Sequence, residues 1–266
     1  MPDTATPVVL SCQGVSYWYE HGRTVLQDVS LSVSAGDVVV VRGSNGSGKT
    51  TLLRLAAGAA RARGGTVSRM APVGYQPQTG DEPPPRMTSA EWLAALGRMR
   101  RARGGTQSLT VLEAFGVPPG ARFGSLSRGT ITKVLLAAAL AGQPRLVLLD
   151  EPFAPLDATA RDTAAALIKQ AAANGAGVLL SDHHGAGDLV ATHVATISDR
   201  RLTGAAAPAG PPAADQPESL AGCWRIVVRA PGEPARELVV PAAERDATLL
   251  AALQRGEEVR RVEELG

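Results

Sequence analysis

The chain has 266 residues, a formal net charge of +2, 44% hydrophobic residues and 3% aromatics. It is long enough for one large domain, or one domain and a small appendage, and apolar enough to bury a core, which excludes global disorder. The net charge is too small to argue for nucleic acid or an acidic membrane surface as the main partner. From Gly204 onward there are 7 basic and 10 acidic residues, against 20 and 15 before it, and this split marks a separate C-terminal piece. Two distant cysteines, Cys12 and Cys223, have neither metal nor redox spacing and read as reduced thiols. The first residues carry no basic segment leading into an apolar one, so no secretory signal is expected.

In chain order, Val8 to Val33 alternates apolar and polar residues around EHGR, as two half-buried strands would. DVVVV, ending at Val41, is a short β-branched run suited to a strand buried on both faces. A glycine-rich turn follows, then a helix TLLRLAAG stopped at Gly58. Residues 59–78 read as short strands and turns. Residues 79–142 read as an inserted helical subdomain, with helices in SAEWLAALGRMRRAR and SLTVLEAFG and a third from about Ser127. Either Ser125 or Ser127 can cap that third helix. Its apolar run VLLAAALAG from Val134 is too short to cross a bilayer, so any membrane role needs a partner.

RLVLLD is a second buried strand, followed by a helix over about Ala158 to Asn174. GVLLSD is a third strand and HVATISD a fourth, giving a mainly parallel sheet. Residues 204–218 are Pro/Ala-rich and read as a semi-rigid linker. In 219–266, WRIVVRA and RELVV read as strands, ATLLAALQRG as a helix and EVRRVEEL as a last strand, a small α+β appendage.

The first chemical signal is Gly43-Ser44-Asn45-Gly46-Ser47-Gly48-Lys49-Thr50, with Thr51 next. It fits G-x-x-x-x-G-K-[ST] and lies between a buried strand and a helix, the context of a phosphate-binding loop. There the backbone N–H groups wrap phosphate oxygens, Lys49 reaches the β- and γ-phosphates, and the Thr50 hydroxyl ligates Mg²⁺. The chain has only three lysines, Lys49, Lys133 and Lys169, so a lysine at this position is a selective choice. The second signal is RLVLLDEP, a buried strand delivering Asp150 and Glu151 at its carboxyl end. The first carboxylate suits Mg²⁺ held through water, and the second suits a proton from an attacking water. RMRRAR, residues 98–103, lacks interleaved aromatics and reads as a solvated helix face, so no nucleic acid is expected. The four histidines, His21, His183, His184 and His193, have no metal-ligand spacing.

These two motifs together resemble the ATP-binding-cassette (ABC) ATPase family, over roughly residues 8–203, with the fold of a P-loop NTPase core, an antiparallel β subdomain and an inserted helical subdomain. The resemblance implies ATP and Mg²⁺ as cofactors. It implies that Tyr19, or the nearby Tyr17, stacks on adenine. It implies that Gln78, rather than its rival Gln76, senses Mg²⁺ and water and couples to a membrane partner. Asp157 in APLDATA resembles the aspartate of the loop that crosses a dimer interface. His183 in VLLSDHHG resembles the histidine that contacts the γ-phosphate, with His184 where an acidic residue usually follows. LSRGT falls where the family has LSGGQ: Ser127 and Gly129 are kept, Arg128 replaces a glycine and Thr130 a glutamine. That segment serves the nucleotide held by the opposite subunit.

The resemblance therefore implies an ATPase that closes as a dimer with a second ATPase chain, a homodimer or a heterodimer, and powers a separate transmembrane permease subunit. Such a chain is cytoplasmic and peripheral on the inner face of the membrane. Residues 219–266 are similar to the small accessory domains trailing some exporter-like (ABC-2 type) cassettes, which favours export. The alternative is a soluble ABC ATPase in assembly, repair or translation. A module that holds ATP without turnover is opposed by Glu151 and His183.

Overall fold

The computed structural model of the protein describes residues 6–19, 22–78, 83–99, 105–183, 185–204, 223–229, 236–241 and 258–265. The expected helix over ATLLAALQRG, most of the Pro/Ala linker, most of RMRRAR, and His21 and His184 lie outside the described residues. The chain divides into two compact units, Met1–Ala214 and Asp215–Gly266.

The first unit is built on a six-stranded sheet in the order β5-β6-β7-β3-β8-β9. Its strands are β3 (Val38–Arg42), β5 (Val73–Gln76), β6 (Leu146–Asp150), β7 (Gly177–Asp182), β8 (His193–Ser198) and β9 (Arg201–Thr203). Neighbours from β5 through β8 pair in parallel; only β9 runs antiparallel, against β8. The hydrophobic runs suit a sheet covered on both faces. Val38, Val40, Val147, Leu149, Val178 and Leu180 share one apolar cluster, while Val39, Val41, Leu146, Leu148 and Leu179 belong to the other. Alternate residues of one strand thus face opposite cores, as a pleat requires.

One face carries α4 (Arg128–Leu140) and α5 (Ala158–Ala173), together with the inserted α2 (Ser89–Met99) and α3 (Gly105–Ala114). The other carries α1 (Lys49–Ala57) and an antiparallel three-stranded sheet, β2-β1-β4, of β1 (Val8–Trp18), β2 (Thr24–Ser34) and β4 (Gly64–Arg69). This is a P-loop NTPase core with an antiparallel β subdomain and an inserted helical subdomain. Helix α4 packs both on α3 and on the core strands β5 and β6, so it joins the insertion to the sheet. Ser127, not Ser125, is its cap: Ser127 Oγ accepts from Thr130 N at 3.2 Å, while Ser125 ends a short 3-10 turn.

In the second unit the described residues form an antiparallel sheet, β11-β10-β12, of β10 (Cys223–Arg229), β11 (Arg236–Pro241) and β12 (Glu258–Leu265). Among the described residues no helix is long and apolar enough to cross a membrane.

Candidate functional site

Four adjacent parallel strands, β5, β6, β7 and β3, end side by side, and their carboxyl ends carry the chemistry. In a sheet whose strand order reverses about β3, this is where a crevice forms. The loop Gly43–Gly48 leaves β3 and turns straight into α1, which starts at Lys49. Gly48 stands at φ 112°, ψ 5°, and makes no side-chain cap, so the first N–H groups of α1 remain open to an anion. A β-carbon there would fall 2.8 Å from Leu26 Cδ2 and 3.2 Å from Val25 O, so the close packing admits only glycine.

Lys49 is buried, 5% exposed, and its Nζ donates to Gly43 O at 2.7 Å and Ser44 O at 3.2 Å. It also lies 3.9 Å from Glu151 Oε1. An ammonium has three protons, so two hold the loop's shape and one remains for an anion in the cradle. His183 Nδ1 sits 3.2 Å from Gly43 O; since a carbonyl only accepts, that nitrogen carries the proton. Gln78 Nε2 donates to Glu151 Oε2 at 3.0 Å. Lys49, Gln78, Glu151 and His183, drawn from α1 and the loops after β5, β6 and β7, therefore converge on the phosphate-loop motif.

Asp150 is 1% exposed. Its Oδ1 accepts from Ser181 Oγ at 2.6 Å, whereas Oδ2 is buried without a partner, as is Ser47 Oγ. Orphaned buried oxygens beside a cradle of open N–H groups fit a hydrated divalent cation and the phosphates that accompany it. Among the described residues no group of three or more His, Cys, Asp or Glu could hold a metal alone. The free oxygens of Asp150 and Ser47 thus fit Mg²⁺ brought with a nucleotide.

Glu151 adopts φ 48°, a left-handed conformation rare for a non-glycine residue. Tyr19 is 46% exposed; its hydroxyl lies 3.3 Å from Thr51 Oγ1, and its ring meets Tyr17 edge-on at 5.2 Å. An exposed ring tethered to the first turn of α1 leaves a face for a flat partner. Ser44, Asn45 and Gly46 form the tip of the loop.

Ser127, Gly129 and Asp157 lie elsewhere. Ser127 caps α4, and Gly129 packs closely against the Pro155 carbonyl. Asp157 caps α5, its Oδ1 accepting from Ala160 N at 2.8 Å. Among the described residues no hydrogen bond or ion pair joins these three to the Gly43–Thr50 loop. Ser181 belongs to no motif in the sequence, where it stands between an apolar run and Asp182 at the end of β7. Nor does any motif announce the ion pair of Arg42 with Asp188, which ties the segment after His183 to the end of β3. Gln76 is not at the cradle: it is buried, and its Nε2 donates to Pro77 O and Asp150 O.

A family model described as ABC transporter matches residues 26–154. The chain is 31% identical over 193 residues to the cytochrome c biogenesis ATP-binding export protein CcmA of Hyphomonas neptunium, covering 71% of this chain and 97% of that protein. It is 38% identical over 168 residues to the zinc import ATP-binding protein ZnuC of Cereibacter sphaeroides, covering 60% of this chain and 66% of that protein. The dimeric structure of MJ0796, a bacterial ABC transporter cassette, matches at TM-score 0.64 with 21% identity, covering 73% of this chain and 96% of that one, which shows a common fold. The chain spans 66%, 56%, 35% and 58% of the lengths of four curated relatives it matches.

Proposed function

Because the chain belongs to the ABC transporter ATPase family, we propose that it binds ATP with Mg²⁺, hydrolyses it, and thereby drives a separate transmembrane permease subunit. The observation that carries this reading is the convergence of Lys49, Gln78 and Glu151 at one cradle, with Glu151 Oε2 accepting from Gln78 Nε2 at 3.0 Å and Oε1 lying 3.9 Å from Lys49 Nζ.

The backbone from Gly43 to Thr50 binds the phosphates, with the Thr51 turn behind it, and Tyr19 stacks on the base. Thr50, Gln78 and Asp150 hold Mg²⁺, which when bound draws negative charge from the phosphate oxygens. Glu151 accepts the proton of an attacking water, and Gln78 orients its carboxylate. In transfer the third proton of Lys49 meets the negative charge that builds up, and His183, its Nδ1–H turned to Gly43 O, lines the same place. The second face of the nucleotide is supplied by another ATPase chain: Ser127, Gly129 and the open end of α4 close on it, and Asp157 crosses the interface. Capping and closing are compatible for Ser127, because a hydroxyl oxygen has two lone pairs as well as a proton.

On this reading the chain works at the inner face of a membrane, held there by the permease. Export is the direction we favour, since a relative that this chain spans almost whole is named an export protein; the zinc import proteins among its relatives stand on the other side. The test is Mg²⁺-dependent phosphate release by the purified chain, alone and with co-purifying membrane proteins. Turnover that needs Mg²⁺ and vanishes in Lys49→Ala supports the proposal. Nucleotide binding without turnover under both conditions contradicts it.

A further inference from the structure

The peptide joining Asp150 to Glu151 is held at both of its polar atoms by side chains. Its carbonyl oxygen accepts from Gln76 Nε2 at 3.2 Å, and its N–H, that of Glu151, donates to Ser181 Oγ at 2.8 Å. Gln76 is the last residue of β5, and Ser181 lies in β7, the strands on either side of β6. Because β6 ends at Asp150, these side chains take over where the backbone ladder stops. Both are buried, at 2% and 0% exposure.

The chemistry leaves no freedom in either bond. Gln76 Nε2 also donates to Pro77 O at 3.0 Å, and since both partners are carbonyls, the amide nitrogen must face them. The single Ser181 proton goes to Asp150 Oδ1 at 2.6 Å, which leaves a lone pair for the Glu151 N–H. Glu151 itself is at φ 48°, and relaxing it means turning this peptide. Turning it breaks both bonds and leaves buried groups unpaired.

We propose that Gln76 and Ser181 are positioning residues: together they pin the Asp150–Glu151 peptide and so hold the Glu151 carboxylate against Gln78 and beside Lys49. This rests on the assignment of Glu151 as the group that activates water. Gln76 reaches the site through this peptide and so governs turnover rather than nucleotide binding, whereas Ser181 also holds Asp150 Oδ1 and bears on both.

The test compares Gln76→Met, Ser181→Ala, the double variant and Ser181→Thr in the full chain, measuring kcat, the Kd for MgATP and thermal melting. Gln76→Met and Ser181→Ala are each expected to lower kcat about tenfold or more, with the Kd of Gln76→Met within about twofold of wild type. The double variant is expected to lose little beyond the worse single one, since the two pin one peptide. Ser181→Thr keeps the hydroxyl and is expected to retain wild-type kcat. Loss of kcat, affinity and melting temperature in parallel in Gln76→Met overturns the proposal, as does independent, multiplicative loss in the double variant. Should Gln76→Met fail to fold, the contrast between Ser181→Ala and Ser181→Thr decides alone. A wild-type chain without turnover, or an active Glu151→Gln, removes the functional reading itself. Active wild type, inactive Glu151→Gln and wild-type kcat in both single variants remove only this proposal.

Discussion

Alanine at Gly48 perturbs the phosphate loop in two separable ways. The residue sits at φ 112°, a region that costs an L residue about 1–2 kcal/mol. Loss of backbone freedom in the unfolded chain returns roughly 0.4–1 kcal/mol. The new β-carbon would also stand 2.8 Å from Leu26 Cδ2, 3.1 Å from Val25 Cγ1 and 3.2 Å from the Val25 carbonyl. Leu26 is fully buried and the carbonyl is backbone, so neither can move aside freely. Overpacking of this kind costs about 1–3 kcal/mol. The sum is a loss of about 1–5 kcal/mol, or a fall of roughly 2–18 °C in the melting temperature of a unit this size. Gly46→Ala is the internal control. It has φ 77° but no atom within 4 Å of its β-carbon, so only the conformational part applies, about 1 kcal/mol. Differential scanning calorimetry without nucleotide reads both variants, and MgATP titration shows whether the loop still binds. Equal shifts in the two, or a Gly48→Ala cost below about 1 kcal/mol, would refute the packing described around this loop.

Two further outcomes follow from the same structure. Asp157→Ala removes the cap of α5 and is expected to cost about 1 kcal/mol, while Asp157→Ser keeps the acceptor and is expected to restore most of it; thermal melting of the three proteins checks this. Burial pushes the Cys12 thiol from 9.0 up to about 12. Above pH 9 the unfolded thiol loses its proton while the buried one keeps it, so stability present below 9.0 declines as pH rises toward 12. The slope is at most about 1.4 kcal/mol per pH unit. Urea midpoints at pH 8 and pH 10.5 are expected to separate less in Cys12→Val than in wild type, and an equal separation contradicts the burial of Cys12.

How much was legible in the sequence depended on whether the signal was local. DVVVV followed by GSNGSGKT fixes a strand, a loop and a helix in one stretch, because β-branched residues, glycines and Lys49 each answer to backbone geometry close by. RLVLLD gave β6 for the same reason, and its last residue gave Asp150. Strand β9 was not legible: three residues beside Asp199 and Arg200, both at positive φ, pair only because β8 lies alongside. The choice of Ser127 over Ser125 as the cap also needed the structure, since both precede the same apolar run. Gln76 and Gln78 stand two residues apart in one motif, where strand alternation would put both on one face; β5 ends at Gln76, which turns to Asp150, and Gln78, beyond the strand and past Pro77, reaches Glu151 instead. Ser181 is partnered by a strand some thirty residues away, a relation that no spacing in the chain announces. Asp157 reads as an interface residue by resemblance, and its capping of α5 shows only in the bond to Ala160.

The most direct measurement is steady-state ATP turnover by Glu151→Gln beside its affinity for MgATP. Gln keeps the size of the side chain but removes the carboxylate that accepts a proton. Turnover is expected to fall by about 10²–10⁴-fold with MgATP affinity retained. Undiminished turnover would contradict the role of Glu151 at the carboxyl end of β6, and with it the reading of this site as an ATP-hydrolysing centre.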